Sequence, residues 1–199
     1  VTSARPRYKS HADNQDICAR CFIYTYPDHK LTRVARIKER HVTDALRASL
    51  PDEIVKKMIL DLPIPGGCSK RRPDVYVIHE VDGVLYCIIV ECDENQHLRY
   101  DTTCENKRMM QLLLDGGEMP MLVIRFNPDG YTDSEGKRHT SCFGYDTHGL
   151  PRVAPKKRAE WDKRVETLLE TVCAALKSPP TKMVDTKYLF YDDVHDIAE

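Results

Sequence analysis

No apolar run in the 199-residue chain approaches the roughly 20 residues a membrane-spanning helix needs. Its first residues, Val1 to Ser10, are polar and basic and hold no secretory apolar core. Neither a membrane span nor a secretory leader is expected. The expectation is instead a soluble, intracellular protein, nuclear or cytoplasmic, whose thiols stay reduced. A chain that starts at Val1 rather than Met is also what a fragment would show. There is no internal repeat, so a stacked-repeat architecture is not expected. Net charge is scarce as well, at −1, but it is unevenly laid out. Residues 1 to 72 hold fifteen Lys and Arg against eight acids, a net of +7, which leaves −8 for the remainder. A basic third beside an acidic remainder suits a phosphate-facing surface next to a metal-binding one, and solvated helix faces give the same count.

What the chain does have is one strongly patterned stretch, Arg71 to His97. Two runs rich in β-branched and aromatic residues flank Asp82-Gly83, the short-range signature of a hairpin closed by a type I′ turn. With those two residues as the loop, Val81 faces Val84 and Asp74 falls opposite Glu91. Like charges so placed are destabilising unless something holds them. Asp93, two residues on, returns to the face of Glu91. The strand before it, Leu85 to Val90, is apolar on both faces, as a covered central strand is. Three carboxylates at one strand end suit a hard divalent cation such as Mg²⁺ or Mn²⁺. Acids at strand ends bonded to Arg71, Arg72 or loop amides would leave the same pattern.

The rest of the chain reads as α/β. Residues 1 to 16 are a polar, basic arm, followed by Cys18-Ala19-Arg20-Cys21, which has the spacing of half a structural zinc site or of two ordinary thiols. His29, His41, Cys68, His139 and Cys142 are the ligands available to complete it. Apolar spacing predicts a helix over Arg33 to Leu50, stopped by Pro51, and a second over Asp52 to Leu62. A third is predicted over Asp101 to Leu114, with Met110, Leu113 and Leu114 facing the core. A short central strand over Met121 to Phe126 follows, then a polar loop or hairpin from Asn127 to Thr140, and a last helix from Glu160 to Lys177. The tail carries Tyr188-Leu189-Phe190-Tyr191 and packs back as an edge strand or serves as a docking segment. The expected organisation is a basic arm over 1–32, a catalytic domain over 33–177 and a tail over 178–199.

Asp74, a hairpin, then Glu91-x-Asp93 with Gln96 and His97 shortly after, resembles the PD-(D/E)XK nuclease superfamily. More narrowly it is similar to the branch of very-short-patch-repair endonucleases and to restriction-endonuclease-like proteins of large DNA viruses and algae. Tyr100-Asp101, Cys104 to Arg108, Gly116-Gly117 and Val123 to Asp129 continue the likeness, which covers roughly residues 35 to 130. The resemblance implies a three-layer restriction-endonuclease-like core, a small mixed β-sheet flanked by helices. It implies a Mg²⁺- or Mn²⁺-dependent endonuclease acting on DNA, with Asp74, Glu91 and Asp93 as metal ligands and His97 as acid or base.

Glu39 matches a helical Glu that reaches the site in such nucleases; a solvated Glu paired with a nearby Arg fits equally. Position 93 departs from the family's usual Lys, so the charge on phosphorus must be met by another cation, with Lys107, Arg108 and Arg125 available. Lys70, Arg71 and Arg72 are candidates for phosphate contact or for simple solvation. Trp161 and Tyr131 are available as an aromatic wedge. The alternative expectation is a non-catalytic nucleic-acid-binding or interaction module on a decayed nuclease core, organised around a zinc knuckle.

Overall fold

Asp82 and Gly83 reverse the chain with φ of 52° and 80°, the two left-handed residues a type I′ turn requires. They join strand β4, Val75–Val81, to strand β5, Val84–Cys92. The register runs from Val81 opposite Val84 to Val75 opposite Val90, as the sequence implies. Nothing lies within 4 Å of a Cβ added at Gly83, so alanine there costs backbone strain alone. Gly83→Ala is expected to lower stability by about 1 kcal/mol and Tm by about 2–4 °C. Thermal melts check this, and an unchanged Tm would contradict the turn.

A computed structural model describes residues 7–9, 16–18, 22, 26, 38–97, 102–145 and 151–192; for 7–9, 16–18, 97, 102 and 104 the description is of backbone alone. Strands β1, Arg7–Lys9, and β2, Asp16–Cys18, pair antiparallel in the region read as an arm. Helix α1 spans Lys38–Ser49 and helix α2 spans Asp52–Val55. The second helix expected as far as Leu62 therefore stops early. Ile59–Leu60 forms strand β3 instead, because these two residues pair with Tyr76 and Val75 on the edge of β4. After β5 comes a 3₁₀ segment, Glu94–His97, then helix α3, Thr102–Asp115, and strand β6, Met121–Phe126. Two short ladders follow, β7 Tyr131–Thr132 with β8 Arg138–His139, and β9 Phe143–Tyr145 with β10 Pro151–Val153. Helix α4, Arg158–Ala175, leads to strand β11, Val184–Leu189.

The main sheet has five strands in the order β11-β6-β5-β4-β3. It is mixed: β3, β4 and β5 are mutually antiparallel, while β6 runs parallel to β5 and β11 parallel to β6. Of the two readings of the tail, packing back as an edge strand is the one adopted. Parallel neighbours need a helical crossover, and α3 and α4 supply the two. Val75, Val77 and the even residues Tyr86, Ile88 and Val90 face α1 and α4, meeting Val42, Leu46, Leu168 and Val172. Tyr76, Cys87, Ile89 and Val123 face the other way, onto Leu112 and Leu113 of α3. Helices thus cover both faces, which is why β5 reads as a continuous apolar run.

Helix α3 is rotated from the expected phase. Leu112 and Leu113 are buried, whereas Met110 and Leu114 are 55% and 58% exposed. Burying a leucine such as Leu112 contributes roughly 2 kcal/mol. The inward stripe continues one and two turns back to Arg108 and Glu105, so the same face that packs the core also delivers charge to the sheet end. Trp161 is 4% exposed and packs edge-on against Phe126 and Phe143, so it is a core residue and no wedge. Tyr131 stacks on His139 and lies under the Arg164 guanidinium. Cys68, Cys87, Cys92, Cys142 and Cys173 are free thiols. Among the described residues no helix is long and apolar enough to cross a membrane.

Candidate functional site

The hairpin register carried one step past Val75 and Val90 sets Asp74 opposite Glu91. Glu91 is also level with Arg125 on the parallel neighbour β6. Side-chain alternation puts Glu91 and Arg125 on the α3 side of the sheet, with Asp93 bonded to Arg125 there; Asp74, just ahead of β4, stands at the sheet end and also borders α1. From α3, Arg108 Nη2 donates to Glu91 Oε1 at 2.8 Å and to the Arg72 carbonyl at 3.2 Å. The Cys92 N–H donates to Asp74 Oδ2 at 2.7 Å. Glu39 reaches the group from α1, on the opposite layer, where its carboxyl senses the charge of Asp74.

Burial dominates the electrostatics here. Glu91, 6% exposed, has its carboxyl pushed up to about 8 by burial and by the charge of Asp74, against the pull of Arg108. Asp74 is pushed up to about 6 by burial, partly offset by the Cys92 N–H and by Arg108. Glu39 is pushed up to about 7 by burial, then by Asp74. Three carboxyls from three elements thus hold protons, or want another positive charge, near neutral pH.

Each of the three binds its proton more tightly in the fold than in the unfolded chain. Their contribution to stability is therefore fully present below about pH 4 and is lost as pH rises through about 6 to 8. We expect the metal-free protein to lose up to about 4 kcal/mol from Glu91 across that window, an amount Glu91→Gln should remove. Denaturation curves of both proteins at pH 5.5 and 8.5 in chelator check this. Parallel pH profiles would refute it.

Asp93 is differently placed. It is 1% exposed, and its Oδ2 accepts from Arg125 Nε and from the Tyr191 hydroxyl. Arg125 Nη1 in turn bonds Glu105. Burial opposes the charge on Arg125, and the bonds to Asp93 and Glu105 outweigh it, raising the Arg125 pKa. Burial and the charge of Asp93 likewise raise the Tyr191 phenol. The structure therefore gathers Asp74, Glu91, Glu39 and Arg108, and sets Asp93 and Arg125 beside them in a paired, buried network. Among the described residues, no group of three or more His, Cys, Asp and Glu side chains stands ready to hold a metal.

The remaining candidates scatter. Lys70 and Lys107 are exposed. Arg71 Nε donates to Gln111 Oε1 at 2.7 Å, and Arg72 pairs with Asp61 at 2.9 Å. The side chain of His97 and all of Cys21 lie outside the described residues; Cys18 ends β2.

A second polar centre lies behind the site, and sequence reasoning missed it. Lys38, Asn127, Asp129 and Arg164 are all buried. Lys38 Nζ bonds both Asp129 oxygens at 2.7 and 2.8 Å and lies 3.4 Å from Glu94. The Asn95 N–H and the Ser141 hydroxyl also donate to Asp129. Asn95 and Gln96 take φ of 54° and 56°, a conformation that non-glycine residues rarely adopt. Gln96 is pinned at both amide atoms, donating to the Gly130 carbonyl and accepting from the Asp192 N–H. This centre fixes the bend that follows Glu91 and Asp93. One signal was available: Lys38, Val42 and Leu46 share one helical stripe, which places a Lys on the buried side.

Beside the acids a cavity of about 510 Å³ opens between α1 and the β3–β4 edge, and both Glu39 and Asp74 line it. No family model, curated protein or solved structure matches the chain.

Proposed function

We propose that the protein is a metal-dependent endonuclease that hydrolyses phosphodiester bonds in DNA, built on a core of the restriction-endonuclease-like kind. The observation that carries the reading is the opposition of Asp74 and Glu91 at the open end of a covered sheet. Both carboxyls have raised pKa values, and both sense one guanidinium, Arg108. The donor set fits Mg²⁺ or Mn²⁺: Mg²⁺ is commonly held by one or two carboxylates together with waters and substrate phosphate, so a ready-made cage is not required. Asp74 and Glu91 would hold the ion, and Glu39 borders the same space. Such an ion supplies an activated water and stabilises charge on the phosphoryl oxygens.

The chain's own groups have distinct tasks. Glu39, held near 7, can accept a proton at neutral pH. Arg108, half-buried and hydrogen-bonded to Glu91, is the cation nearest the chemistry and takes the place of the missing Lys at 93. Asp93, locked to Arg125 and Tyr191, positions the end of β5 in place of ligating. The pairing of Asp93 Oδ2 with Arg125 also favours a second reading, in which the core binds nucleic acid without cutting it. Incubating supercoiled plasmid with Mg²⁺ or Mn²⁺, wild type against Asp74→Ala and Glu91→Ala, separates the two.

A further inference from the structure

In the tail stretch Tyr188-Leu189-Phe190-Tyr191 the fold uses three residues and leaves one outside. Leu189 and Phe190 pack on the core, Phe190 lies edge-on against Phe126, and the Tyr191 hydroxyl donates to Asp93. Tyr188 is 58% exposed.

Alternation along β11 sets Tyr188 on the face opposite Leu189 and shared with Val184. That is the α3 side, because Val184 packs with Tyr76, Cys87 and Met121. The register then completes one row across the sheet: Glu91 on β5 is level with Arg125 on β6, and Arg125 is level with Tyr188 on β11. With about 4.8 Å between neighbouring strands, Tyr188 stands roughly 10 Å from Glu91 along that row. Among the described residues no further strand continues it, so the ring sits at the open edge beside the carboxyls.

The ring is also braced. Tyr188 meets Tyr191 with centroids 5.0 Å apart and planes at 76°. Tyr191 is anchored in turn on Asp93, whose partner Arg125 belongs to the same row. A T-shaped contact covers at most one face of the Tyr188 ring, and a face is left open to solvent. Exposed apolar side chains scattered singly need no explanation. This one is set apart by its place level with Glu91 and by the second ring that holds it. An aromatic face so presented is a surface on which any base can stack.

We propose that Tyr188 is a stacking platform for an unpaired nucleobase, braced by Tyr191, at the sheet edge beside Glu91. The ligand class is single-stranded nucleic acid, engaged through the face of a base and without regard to which base it is. The platform brings the strand alongside Asp74 and Glu91, and in that respect the inference rests on the nuclease reading.

The test is fluorescence anisotropy of the full chain in chelator with labelled single-stranded DNA and duplex DNA of equal length, across a salt series. Tyr188→Leu keeps an apolar side chain and removes the ring. It should weaken single-strand binding roughly tenfold and leave the slope of log affinity against log salt unchanged, because no phosphate contact is lost. Tyr188→Phe should stay within about twofold of wild type, since the ring and not the hydroxyl does the stacking. Tyr188→Trp should bind at least as tightly as wild type, a result that a misfolded variant cannot mimic. Duplex, whose bases already stack on one another, should bind wild type and Tyr188→Leu alike. Equal single-strand binding by Tyr188→Leu and wild type overturns the platform, as does absence of single-strand binding by wild type. So does a tenfold loss in Tyr188→Phe, weaker binding by Tyr188→Trp, or an equal loss on duplex. Cleavage separates the two proposals. If Asp74→Asn cuts as wild type does while single-strand binding still depends on Tyr188, the nuclease reading fails alone. If Asp74→Asn is inactive while Tyr188→Leu binds as wild type does, the platform fails alone.

Discussion

Replacing Asp74 or Glu91 with alanine is expected to reduce Mg²⁺-dependent plasmid cleavage by a factor on the order of a thousand or more. An ion that activates water and stabilises phosphoryl charge contributes several kcal/mol to the transition state, and each 1.36 kcal/mol is tenfold in rate. Both side chains are needed, because one carboxylate beside Arg108 is nearly neutral as a pair and has little left to hold a divalent ion. Titration calorimetry with Mn²⁺ should show the matching loss of binding in each variant. The neutral isosteres add a check that cleavage cannot give. Asp74→Asn and Glu91→Gln remove groups whose raised pKa values make them costly above about pH 7. These variants should therefore be at least as stable as the metal-free wild type at pH 8.5 while being inactive. Asp93→Asn should behave differently, losing stability, because it deprives the buried Arg125 of a charged partner. Equal cleavage by wild type, Asp74→Ala and Glu91→Ala would end the enzymatic proposal.

The parts of this site legible in the sequence are those set by neighbours along the chain. Asp82-Gly83 specifies its own turn, the turn specifies the register, and the register places Asp74 opposite Glu91 without further information. The continuous apolar run of β5 and the strand Met121–Phe126 followed in the same way. Other features depend on partners that no local pattern announces. Asp93 shares a face with Glu91 as the period of two requires. Its role, however, is decided by Arg125, 32 residues away, and Tyr191, 98 residues away. In helix α3 the expected core residue Leu113 is buried, but Met110 and Leu114 are exposed and Leu112 is buried in their place, since all four are about equally apolar. Leu112 and Leu113 pack on Tyr76, Ile89 and Val123, and the same phase brings Glu105 and Arg108 to charges on the sheet. Ile59 and Leu60 looked like the end of a helix until the free edge of β4 offered hydrogen bonds to them.

The largest stability effect should come from the polar centre behind the site, where Lys38→Met is expected to cost about 3–5 kcal/mol and to lower Tm by about 10 °C. Lys38 is 3% exposed and Asp129 4%. Burial alone would depress the Lys38 pKa, but the bonds to Asp129 and the charge of Glu94 raise it instead. The lysine is therefore charged at neutral pH, and its stabilising effect is lost only as pH rises past the ordinary lysine range. Methionine fills much of the same volume, so the cost is the carboxylate left behind without its cation. Lys38→Met combined with Asp129→Asn should recover a large part of the loss, because the amide oxygen still accepts from Asn95 and Ser141 and carries no charge. Chemical denaturation of the single and double variants measures both numbers; a single variant within 1 kcal/mol of wild type would refute the account. A functional consequence follows from geometry. Asp129 holds the left-handed bend at Asn95 and Gln96, and that bend follows directly on the strand carrying Glu91. Any cleavage activity that survives in Lys38→Met should therefore fall even at temperatures where the variant remains folded.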